Sequence, residues 1–436
     1  MRAGIGRITV QSKGGTAARR LSGAAGIAAV VALALLAAAC SGSGHSASQA
    51  RKKAAAIASE VKITPANGAK DADPSAGITV TAQRGTLKNV TVHTSGDAVV
   101  PGSLSQDRKV WHSQWALATA QSYTVTATAA ESDGIARTTS TFRTLTPSRT
   151  FQTEIFEGYN LTYGVGMPIM LIFSQPITNK AAVERSLQLT TSKPVVGAWY
   201  WDDSEHLDFR PRDYWPAGTT VSFTGHLDGV QGAPGMYATA NLTQTFNIGA
   251  SLIALVSTTD HHMRIYNNGQ LEYDWAISTG KPGDDTPNGS YVTVEKNNPQ
   301  RMVGPGYDLE VPWSVRFTFS GDFIHDAYWS VGQQGFENVS HGCVNVAPAN
   351  AETYYNMAVP GDPVIVSGSP SAGKWDDGWT EWFLPWQQYL KGSALHEAVE
   401  AGPGGSSFVD PSTLPASNAS APLQTPPPNN WEAASS

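Results

Sequence analysis

The sequence predicts a mainly β protein in which two β-sandwiches are followed by a third β-rich domain. Alternating stretches such as SYTVTATA and TTVSFTG recur between clusters of glycine, aspartate, asparagine and serine, a pattern typical of short strands joined by turns. The chain of 436 residues is long enough for several domains, each with its own core. Only 15% of the residues are charged, while 42 are glycine and 27 are proline, which argues against a coiled coil or a helical bundle.

The first 39 residues have the order of an export signal. Five basic residues come first, then an apolar run from Leu21 to Ala39, and small residues directly precede Cys40. The LAAAC sequence resembles a bacterial lipobox, which implies that residues 1–39 are a lipoprotein signal peptide and that Cys40 is lipidated. The protein would then be anchored to the outer face of the cell membrane, facing the cell wall. An uncleaved anchor is the alternative, because the apolar run is near the length that spans a bilayer.

The charge of the chain argues against a nucleic-acid partner. The formal net charge is −7, and removal of the basic export signal makes the mature protein still more acidic. Residues 40–60 are mostly small, polar or basic, which is typical of a flexible tether between a lipid anchor and a folded domain. We therefore expect order to begin near Val61.

Strand-like segments divide the rest of the chain into units. The TSTFRT stretch at the end of the first unit is echoed by TQTFNI at the end of the second, so we expect two immunoglobulin-like sandwiches in series. The third unit contains the turn sequences NNGQ and TPNG, a short helix from Pro348 to Met357 and a last strand from Asp362 to Gly368. The predicted boundaries are 61–147 and 148–249 for the sandwiches, 250–368 for the third unit, 369–400 for a Trp-rich segment and 401–436 for a disordered tail.

Aromatic residues of the Trp-rich segment and of the second sandwich favour packing between units. We expect the tryptophans of residues 369–400 to cap the third unit or to hold it against the second sandwich, and a glycan-binding platform is the alternative. Residues 61–249 contain no pair of nucleophile and base. We therefore expect them to act as a spacer, and direct packing of the second sandwich on the third unit is the competing interpretation.

One cysteine other than Cys40 occurs in the chain, Cys343 in the sequence SHGCVNV. A leftover thiol in an exported protein is a candidate reactive group, but it needs a neighbouring base to form a thiolate. His325 follows the strand-like FI, and a loop of 17 residues separates it from Cys343. Gly342 permits a turn whose peptide N–H groups could stabilise an oxyanion. Taken alone, Cys343 is more simply interpreted as a buried structural cysteine and His325 as a surface histidine. The two residues together at this spacing favour catalysis.

The H-x(17)-C spacing together with SHGCVN resembles the signature of L,D-transpeptidase catalytic domains, also called YkuD domains. The resemblance covers residues 250–368 and includes GKPGDDTPNG and NVAPANAETYYNMAVPGDPVIV. It implies that Cys343 is the acylated nucleophile and that His325 is the base. It also implies that Asp326 orients the imidazole through its main-chain carbonyl group.

The same resemblance implies which residues surround the nucleophile. Ser340 is expected to hold the loop by hydrogen bonding, while His341 and Gly342 frame the turn that carries Cys343. The positions expected to contact substrate are Tyr307, Ser320, Gly321, His341 and Asn345.

No metal and no organic cofactor are expected for this chemistry. A zinc site requires three or four converging ligands, and the other histidines lack a second neighbouring cysteine or an HExxH pattern. Nucleophilic catalysis by a thiol needs neither group, because the thioester itself stores the acyl group between two half-reactions.

The resemblance implies an enzyme of peptidoglycan cross-linking. A tetrapeptide stem would acylate Cys343 and lose its terminal D-Ala, and the side-chain amine of a second stem would accept the acyl group to form a 3→3 linkage. Carbapenem β-lactams would acylate the same thiol. L,D-carboxypeptidase activity and anchoring of wall proteins are alternatives on the same scaffold, and a non-catalytic wall-binding lipoprotein is an alternative from another class.

Overall fold

The computed structural model describes residues 48–52, 54, 60–131, 134–304 and 306–415. The described residues are mostly β, and they form two sandwiches and a third β-rich domain, as predicted. The predicted signal peptide and Cys40 lie outside the described residues. In the part of the chain that is described, no helix has the length and apolar character needed to cross a membrane.

Part of the predicted tether is helical. Residues 48–52 and 54 adopt helical backbone, and their alanine, arginine and lysine side chains are good helix formers. Ala54 also packs against the core of the first sandwich. The prediction of a flexible tether over residues 40–60 is therefore wrong for these positions, and its other residues up to 59 lie outside the described ranges.

The first sandwich packs two antiparallel sheets on a core of small and β-branched residues, including Val80, Val92 and Val125. Its strands are β1 (Val61–Thr64), β2 (Thr79–Ala82), β3 (Thr86–Thr94), β4 (Gly102–Leu104), β5 (Val110–Ser113), β6 (Ser122–Glu131) and β7 (Gly134–Arg143). One sheet has the order β1-β2-β5-β4 and the other has the order β3-β6-β7. Alternation of buried and exposed positions along β7 shows the period-2 pattern from which these strands were predicted.

The second sandwich is larger and has an aromatic core that includes Trp199, Phe209 and Trp215. Its elements are β8 (Arg149–Phe151), β9 (Thr153–Ile155), β10 (Thr162–Tyr163), β11 (Ile169–Phe173), α1 (Lys180–Arg185), β12 (Leu187–Thr191), β13 (Val195–Trp201), β14 (His206–Pro211), β15 (Thr220–Gly225), β16 (Gln231–Ala233), β17 (Met236–Ala238) and β18 (Leu242–Ile248). The order β10-β18-β15-β12 forms one sheet, β13-β14-β11-β9 belong to the other, and β16-β17-β8 form a small third sheet.

The third domain, residues 250–368, contains two sheets with a helix packed beside them. Its elements are β19 (Leu252–Ser257), β20 (His262–Asn267), β21 (Gln270–Ala276), β22 (Gly289–Val292), β23 (Glu295–Asn297), β24 (Gln300–Gly304), β25 (Tyr307–Val311), β26 (Ser314–Arg316), β27 (Phe323–Asp326), β28 (Val344–Val346), α2 (Pro348–Met357) and β29 (Pro363–Ser367). The sheets have the orders β21-β20-β19-β29-β22 and β23-β26-β27-β28, and β24 and β25 form a separate hairpin. The predicted helix and the predicted last strand are both confirmed.

The chain returns to the second sandwich after the third domain. It passes through a one-turn helix, α3 (Trp386–Tyr389), and ends in the hairpin of β30 (Ala398–Gly402) and β31 (Gly405–Val409). Strand β30 pairs with β13, which extends the second sandwich's sheet to six strands. The predicted disordered tail is therefore wrong for residues 401–415, because strand pairing with β13 outweighs the weak β propensity of a glycine- and serine-rich sequence. Residues 416–436 lie outside the described ranges.

The second sandwich and the third domain are in direct contact. The Gly164 N–H donates to Pro360 O and the Gly166 N–H donates to Gly361 O, each at 2.9 Å. Val292 of the third domain is buried in the same apolar cluster as the core of the second sandwich. These contacts support the packing interpretation for the second sandwich and contradict the expectation that residues 61–249 act only as a spacer.

Tryptophans of the C-terminal segment complete this junction. The buried Trp382 donates its indole N–H to Gly166 O at 2.7 Å, and its ring lies 4.6 Å from the guanidinium group of the buried Arg210. Arg210 donates in turn to Leu384 O at 2.8 Å. Packing, rather than an exposed glycan platform, accounts for Trp382, as the sequence predicted.

We expect Trp382→Ala to destabilise the protein strongly, by about 3–5 kcal/mol, because it leaves a large cavity at the junction of three parts of the chain. Trp386→Ala is the matched control, since that ring also faces Arg210 but is only half-buried and lies farther away, at 5.7 Å. Urea unfolding measures both effects. Equal losses for the two variants would contradict a special role for Trp382 at the junction.

Candidate active site

Parallel pairing of β27 with β28 brings the two predicted catalytic residues together. In this register His325 lies opposite Asn345, and Ile324 lies opposite Val344. Residues opposite each other share a face, and positions two apart on one strand share it as well. His325 and Asn345 therefore point to the same side, and together with Cys343, which directly precedes β28, they line one cavity of about 550 Å³.

The cavity has an apolar wall and a polar floor. The wall comes from the β24–β25 hairpin and from the loop that follows β27, which contributes Trp329. The Trp329 ring lies 5.9 Å from the His325 ring, centroid to centroid. Of the residues predicted to contact substrate, the cavity is lined by Tyr307, His341 and Asn345.

His325 is buried and held in one tautomer. Its Nδ1 lies 2.7 Å from the main-chain oxygen of Asp326, so Nδ1 carries the proton that is donated and Nε2 is left with a lone pair. Burial lowers the pKa of His325 to about 4, although the hydrogen bond to Asp326 opposes this shift. The hydrogen bond predicted from Asp326 is present, and the imidazole is neutral at neutral pH.

The carboxylate of Asp326 has a separate partner. Its Oδ1 accepts a hydrogen bond from the Tyr328 N–H at 3.0 Å, which fixes the start of the loop after β27. Burial raises the pKa of Asp326, and the bond from Tyr328 lowers it. The side chain thus supports the loop, while the main-chain oxygen supports the imidazole.

A tight turn presents Cys343. Gly342 has a φ of 121°, a conformation that side-chain-bearing residues rarely adopt. The Ser340 hydroxyl accepts from the Gly342 N–H at 3.2 Å and donates to Cys343 O at 2.6 Å. The predicted role of Ser340 in holding the loop is therefore confirmed.

Thr286 holds the same turn from the opposite side. Its hydroxyl donates to Gly342 O at 2.5 Å and accepts from the Gly280 N–H at 2.9 Å. Thr286 is fully buried, so both bonds are shielded from water. Sequence reasoning did not single out Thr286, although it lies within the GKPGDDTPNG stretch that carried the family resemblance.

The Cys343 side chain is half-buried on the cavity floor, and its thiol lies 3.7 Å from Gly321 O. Desolvation raises the pKa of this thiol, the Asp322 carboxylate raises it further, and a hydrogen bond from the Phe323 N–H lowers it. The resting thiol is therefore protonated at neutral pH. With a neutral imidazole beside it in the cavity, the site has the form of a thiol and a base rather than a preformed ion pair.

Ser320 and Gly321 lie on a loop beneath the thiol instead of in the cavity wall. Asp377 of the Trp-rich segment accepts from the Ser320 N–H at 2.5 Å and from the Ser320 hydroxyl at 2.6 Å. Gly321 contributes the carbonyl oxygen that faces the thiol. Substrate contact by these two residues stays a prediction, and the structure adds Asp377 as the residue that fixes their loop.

The remaining predicted residues lie at the two ends of the cavity. Asn345 is buried and donates through Nδ2 to the Ser330 hydroxyl at 3.0 Å. His341 is exposed at the cavity mouth, where its ring packs 5.3 Å from that of Tyr307. Lys281 donates through Nζ to Nε2 of His341 at 2.8 Å and so places a positive charge at the mouth.

Among the residues that the structure describes, no group of three or more histidine, cysteine, aspartate or glutamate side chains is arranged to hold a metal ion. The expectation that the reaction needs no metal or cofactor stays a prediction.

Two family models match the chain. A bacterial Ig domain matches residues 69–231, which span most of both sandwiches, and an L,D-transpeptidase catalytic domain matches residues 251–366. The chain is 32% identical over 344 residues to L,D-transpeptidase 2 of Mycobacterium tuberculosis, which covers 75% of this chain and 83% of the relative. It is 34% identical over 351 residues to L,D-transpeptidase 5 of the same species, with 78% of each chain covered.

Solved structures of similar sequence cover about half of the chain. The structure of the L,D-transpeptidase LdtMt1 in complex with imipenem is 32% identical and matches 51% of this chain and 100% of its own, with a TM-score of 0.43. An L,D-transpeptidase from Mycobacterium smegmatis is 30% identical and matches 50% of this chain and 99% of its own, with a TM-score of 0.42.

We expect Thr286→Val to lower the free energy of unfolding by about 1–3 kcal/mol, because it leaves buried hydrogen-bonding groups of Gly280 and Gly342 without a partner. The rate at which iodoacetamide alkylates Cys343, followed by peptide mapping, should also differ from that of the unmodified chain, because the turn relaxes. Thr286→Ser retains the hydroxyl and is the matched control. Identical behaviour of the valine and serine variants would show that the hydroxyl does not hold the turn.

Proposed function

We propose that this chain, which belongs to the L,D-transpeptidase family of acyltransferases, forms 3→3 cross-links between the stem peptides of peptidoglycan. One observation carries the proposal: Cys343 and the neutral, tautomer-fixed His325 line the same cavity. A thiol beside an unprotonated imidazole can attack an acyl carbon and pass its proton to the ring. The match of the catalytic-domain model to residues 251–366 supports the same assignment.

In the first half-reaction, a tetrapeptide stem donates its acyl group. The sulfur of Cys343 attacks the carbonyl carbon that precedes the terminal D-Ala, and the thiol proton moves to Nε2 of His325. The C–N bond then breaks, and the imidazolium returns the proton to the departing amine of D-Ala. The acyl group is held as a thioester on Cys343, which conserves the energy of the cleaved amide.

In the second half-reaction, the side-chain amine of another stem attacks the thioester. His325 accepts a proton from this amine and returns it to the sulfur as the C–S bond breaks, which restores the resting thiol. The amine takes the place of water, so the number of peptide bonds is unchanged. A diaminopimelate side chain is the acceptor that the family resemblance implies.

The negative oxygen of each tetrahedral intermediate needs hydrogen-bond donors. The Gly342 N–H already donates to Ser340, so Gly342 shapes the turn instead of facing the oxyanion. In the proposed mechanism the main-chain N–H of Cys343 itself points at this oxygen. Loss of one such donor typically costs a factor of about 10²–10³ in rate, which makes the geometry of the turn essential.

Substrate contacts follow from the two ends of the cavity. The positive charge of Lys281 and the rings of Tyr307 and His341 suit the carboxylate and peptide groups of a stem at the mouth. The apolar wall near Trp329 suits the methylene groups of a long side chain. Asn345 lies on the same face as His325, at the buried end of the cavity.

The alternatives differ in the acceptor. Attack by water on the thioester gives L,D-carboxypeptidase activity, and attack by an amine of another molecule gives anchoring of a wall protein. A non-catalytic wall-binding role is disfavoured, because Cys343 and His325 are both in place and the imidazole has the tautomer that a base requires. Carbapenems should acylate Cys343, since their strained amide presents an acyl carbon to the same thiol.

The proposal places the enzyme outside the cell membrane. The order of basic residues, apolar run and LAAAC supports lipidation of Cys40, and a lipid anchor would hold the enzyme on the outer face of the membrane, next to the cell wall.

We expect Cys343→Ala to abolish formation of the acyl-enzyme while the protein keeps its thermal stability, because the side chain is only half-buried. Incubation with a disaccharide-tetrapeptide followed by mass spectrometry should detect the acyl-enzyme and a cross-linked dimer with the unmodified chain only. Dimer formed by the alanine variant would exclude this nucleophile. Release of D-Ala by the unmodified chain without dimer would favour the carboxypeptidase alternative.

We also expect His325 to stay in its base form between about pH 5 and 7, so that its titration does not change the rate of acylation by a carbapenem in this range. The pKa of His325 is lowered to about 4, so the base form is present above this pH and is lost as the pH falls through it. Stopped-flow measurement of the acylation rate against pH tests this. A loss of rate as the pH falls through the ordinary histidine pKa of about 6.5 would contradict the buried, neutral imidazole.

A further inference from the structure

The carboxyl group of Asp322 lies directly beneath the turn that presents the nucleophile. A Cβ atom added to Gly342 would lie 2.3 Å from Asp322 Oδ1, which is closer than two such atoms can approach. The carboxyl group therefore fills the space that a side chain at residue 342 would occupy, one residue before Cys343. The SHGC motif gives no sign of this neighbour, because Asp322 lies in the loop before β27, twenty residues earlier in the chain.

Hydrogen bonds hold this carboxyl group in place. The hydroxyl of Thr318 accepts from the Asp322 N–H at 2.7 Å and from the Gly321 N–H at 3.2 Å. Its own proton is donated to Asp322 Oδ2 at 3.1 Å. The loop of residues 318–322 thus fixes both the carboxyl group of Asp322 and the Gly321 carbonyl oxygen that faces the thiol.

Several titratable or charged groups surround Asp322. They are Cys343 on the nucleophile turn, Arg316 at the end of β26, Asp377 on the C-terminal segment, Tyr291 on β22 and Tyr307 on the β24–β25 hairpin. Arg316 already pairs with Glu295 at 2.9 Å and donates to the carbonyl oxygens of Thr318 and Phe319. Its positive charge is therefore shared among several acceptors.

Asp322 can change its charge near neutral pH. The pKa of Asp322 is raised to about 6, because burial and, to a smaller extent, the charge of Asp377 raise it by more than the bond from Thr318 and the charge of Arg316 lower it. Asp322 is therefore neutral below about pH 6 and ionised above it. In the ionised form it places a negative charge next to the sulfur that must become negative during attack.

We propose that Asp322 is a positioning residue of the nucleophile, which supports the turn at Gly342 and whose ionised carboxylate opposes formation of the Cys343 thiolate. Protonation of Asp322 removes a like charge from the neighbourhood of the sulfur, so the thiolate forms more readily on the acid side. The inference rests on Cys343 being the nucleophile of the proposed reaction. It deepens that proposal by assigning a second titratable group, besides His325, to the control of the thiol.

Alkylation of Cys343 by iodoacetamide in the full chain tests this inference without any peptidoglycan substrate. Asp322→Asn keeps the size of the side chain and removes its charge. At about pH 5 the variant and the unmodified chain should react at similar rates, because Asp322 is then mostly protonated and residue 322 is uncharged in both proteins. At about pH 8 the variant should react roughly tenfold faster, as expected for removal of one nearby charge in a partly shielded site.

The decisive quantity is the alkylation rate of Asp322→Asn divided by that of the unmodified chain, since this ratio cancels effects of pH on the reagent and on His325. It should rise from near one to its plateau through about pH 6, the pKa of Asp322. A ratio that does not change with pH, or that falls below one at high pH, would overturn the proposal. A merely structural role of Asp322 would change the rates at all pH values alike.

Asp284→Asn is the matched control. Asp284 carries the same charge at the cavity mouth, but its side chain is 43% exposed and pairs with Lys281 at 3.3 Å. Removal of the Asp284 charge should change the rate of Cys343 alkylation, relative to that of the unmodified chain, less than twofold, because solvent screens an exposed charge. Asp322→Ser is a second neutral variant, and thermal melts confirm that the variants compared are folded. Failure of transpeptidation with a normal alkylation profile would disprove the proposed function but leave the role of Asp322 intact.

Discussion

The pairing register between β27 and β28 is the constraint on which the candidate site depends. It places His325 opposite Asn345 and brings Cys343, which directly precedes the second strand, into the same cavity. A shift of one residue would turn either the imidazole of His325 or the amide of Asn345 to the other side of the sheet. The buried side chains of Ile324 and Val344 point to the opposite face and pack in the core of the domain, so the hydrophobic pattern of the two strands fixes the register that catalysis needs.

The environment of the site favours neutral groups over a resting ion pair. Burial disfavours the imidazolium form of His325, and burial together with Asp322 disfavours the thiolate of Cys343. Charge therefore develops only when a substrate enters and the proton moves. This arrangement protects the thiol from oxidants and alkylating agents, because the thiolate is the reactive form, and it lets the bound substrate complete the site.

The C-terminal segment links the sandwich to the chemistry. It adds β30 and β31 to the sheet of the second sandwich, places Trp382 at the junction with Gly166, and sends Asp377 to the loop that carries Gly321. The buried Glu184 of α1 accepts from the Ser393 hydroxyl and the Ala394 N–H, which fastens the same segment to the sandwich. The second sandwich thus supports the active site by making the junction rigid.

The sequence alone determined the β-rich fold and the order of the three units, and it singled out Cys343 and His325 as the candidate catalytic residues. These features depend on local alternation, on turn residues and on a motif in which the residues that react are close along the chain. Tertiary structure decided the rest. Thr286 and Asp377 reach Gly342 and Ser320 from more than fifty residues away, and Asp322 meets Gly342 only because two strands pair. The hairpin at residues 398–409 is a strand pair only beside β13, because its glycine and serine residues have no strong preference of their own and the free edge of the sandwich supplies the hydrogen bonds.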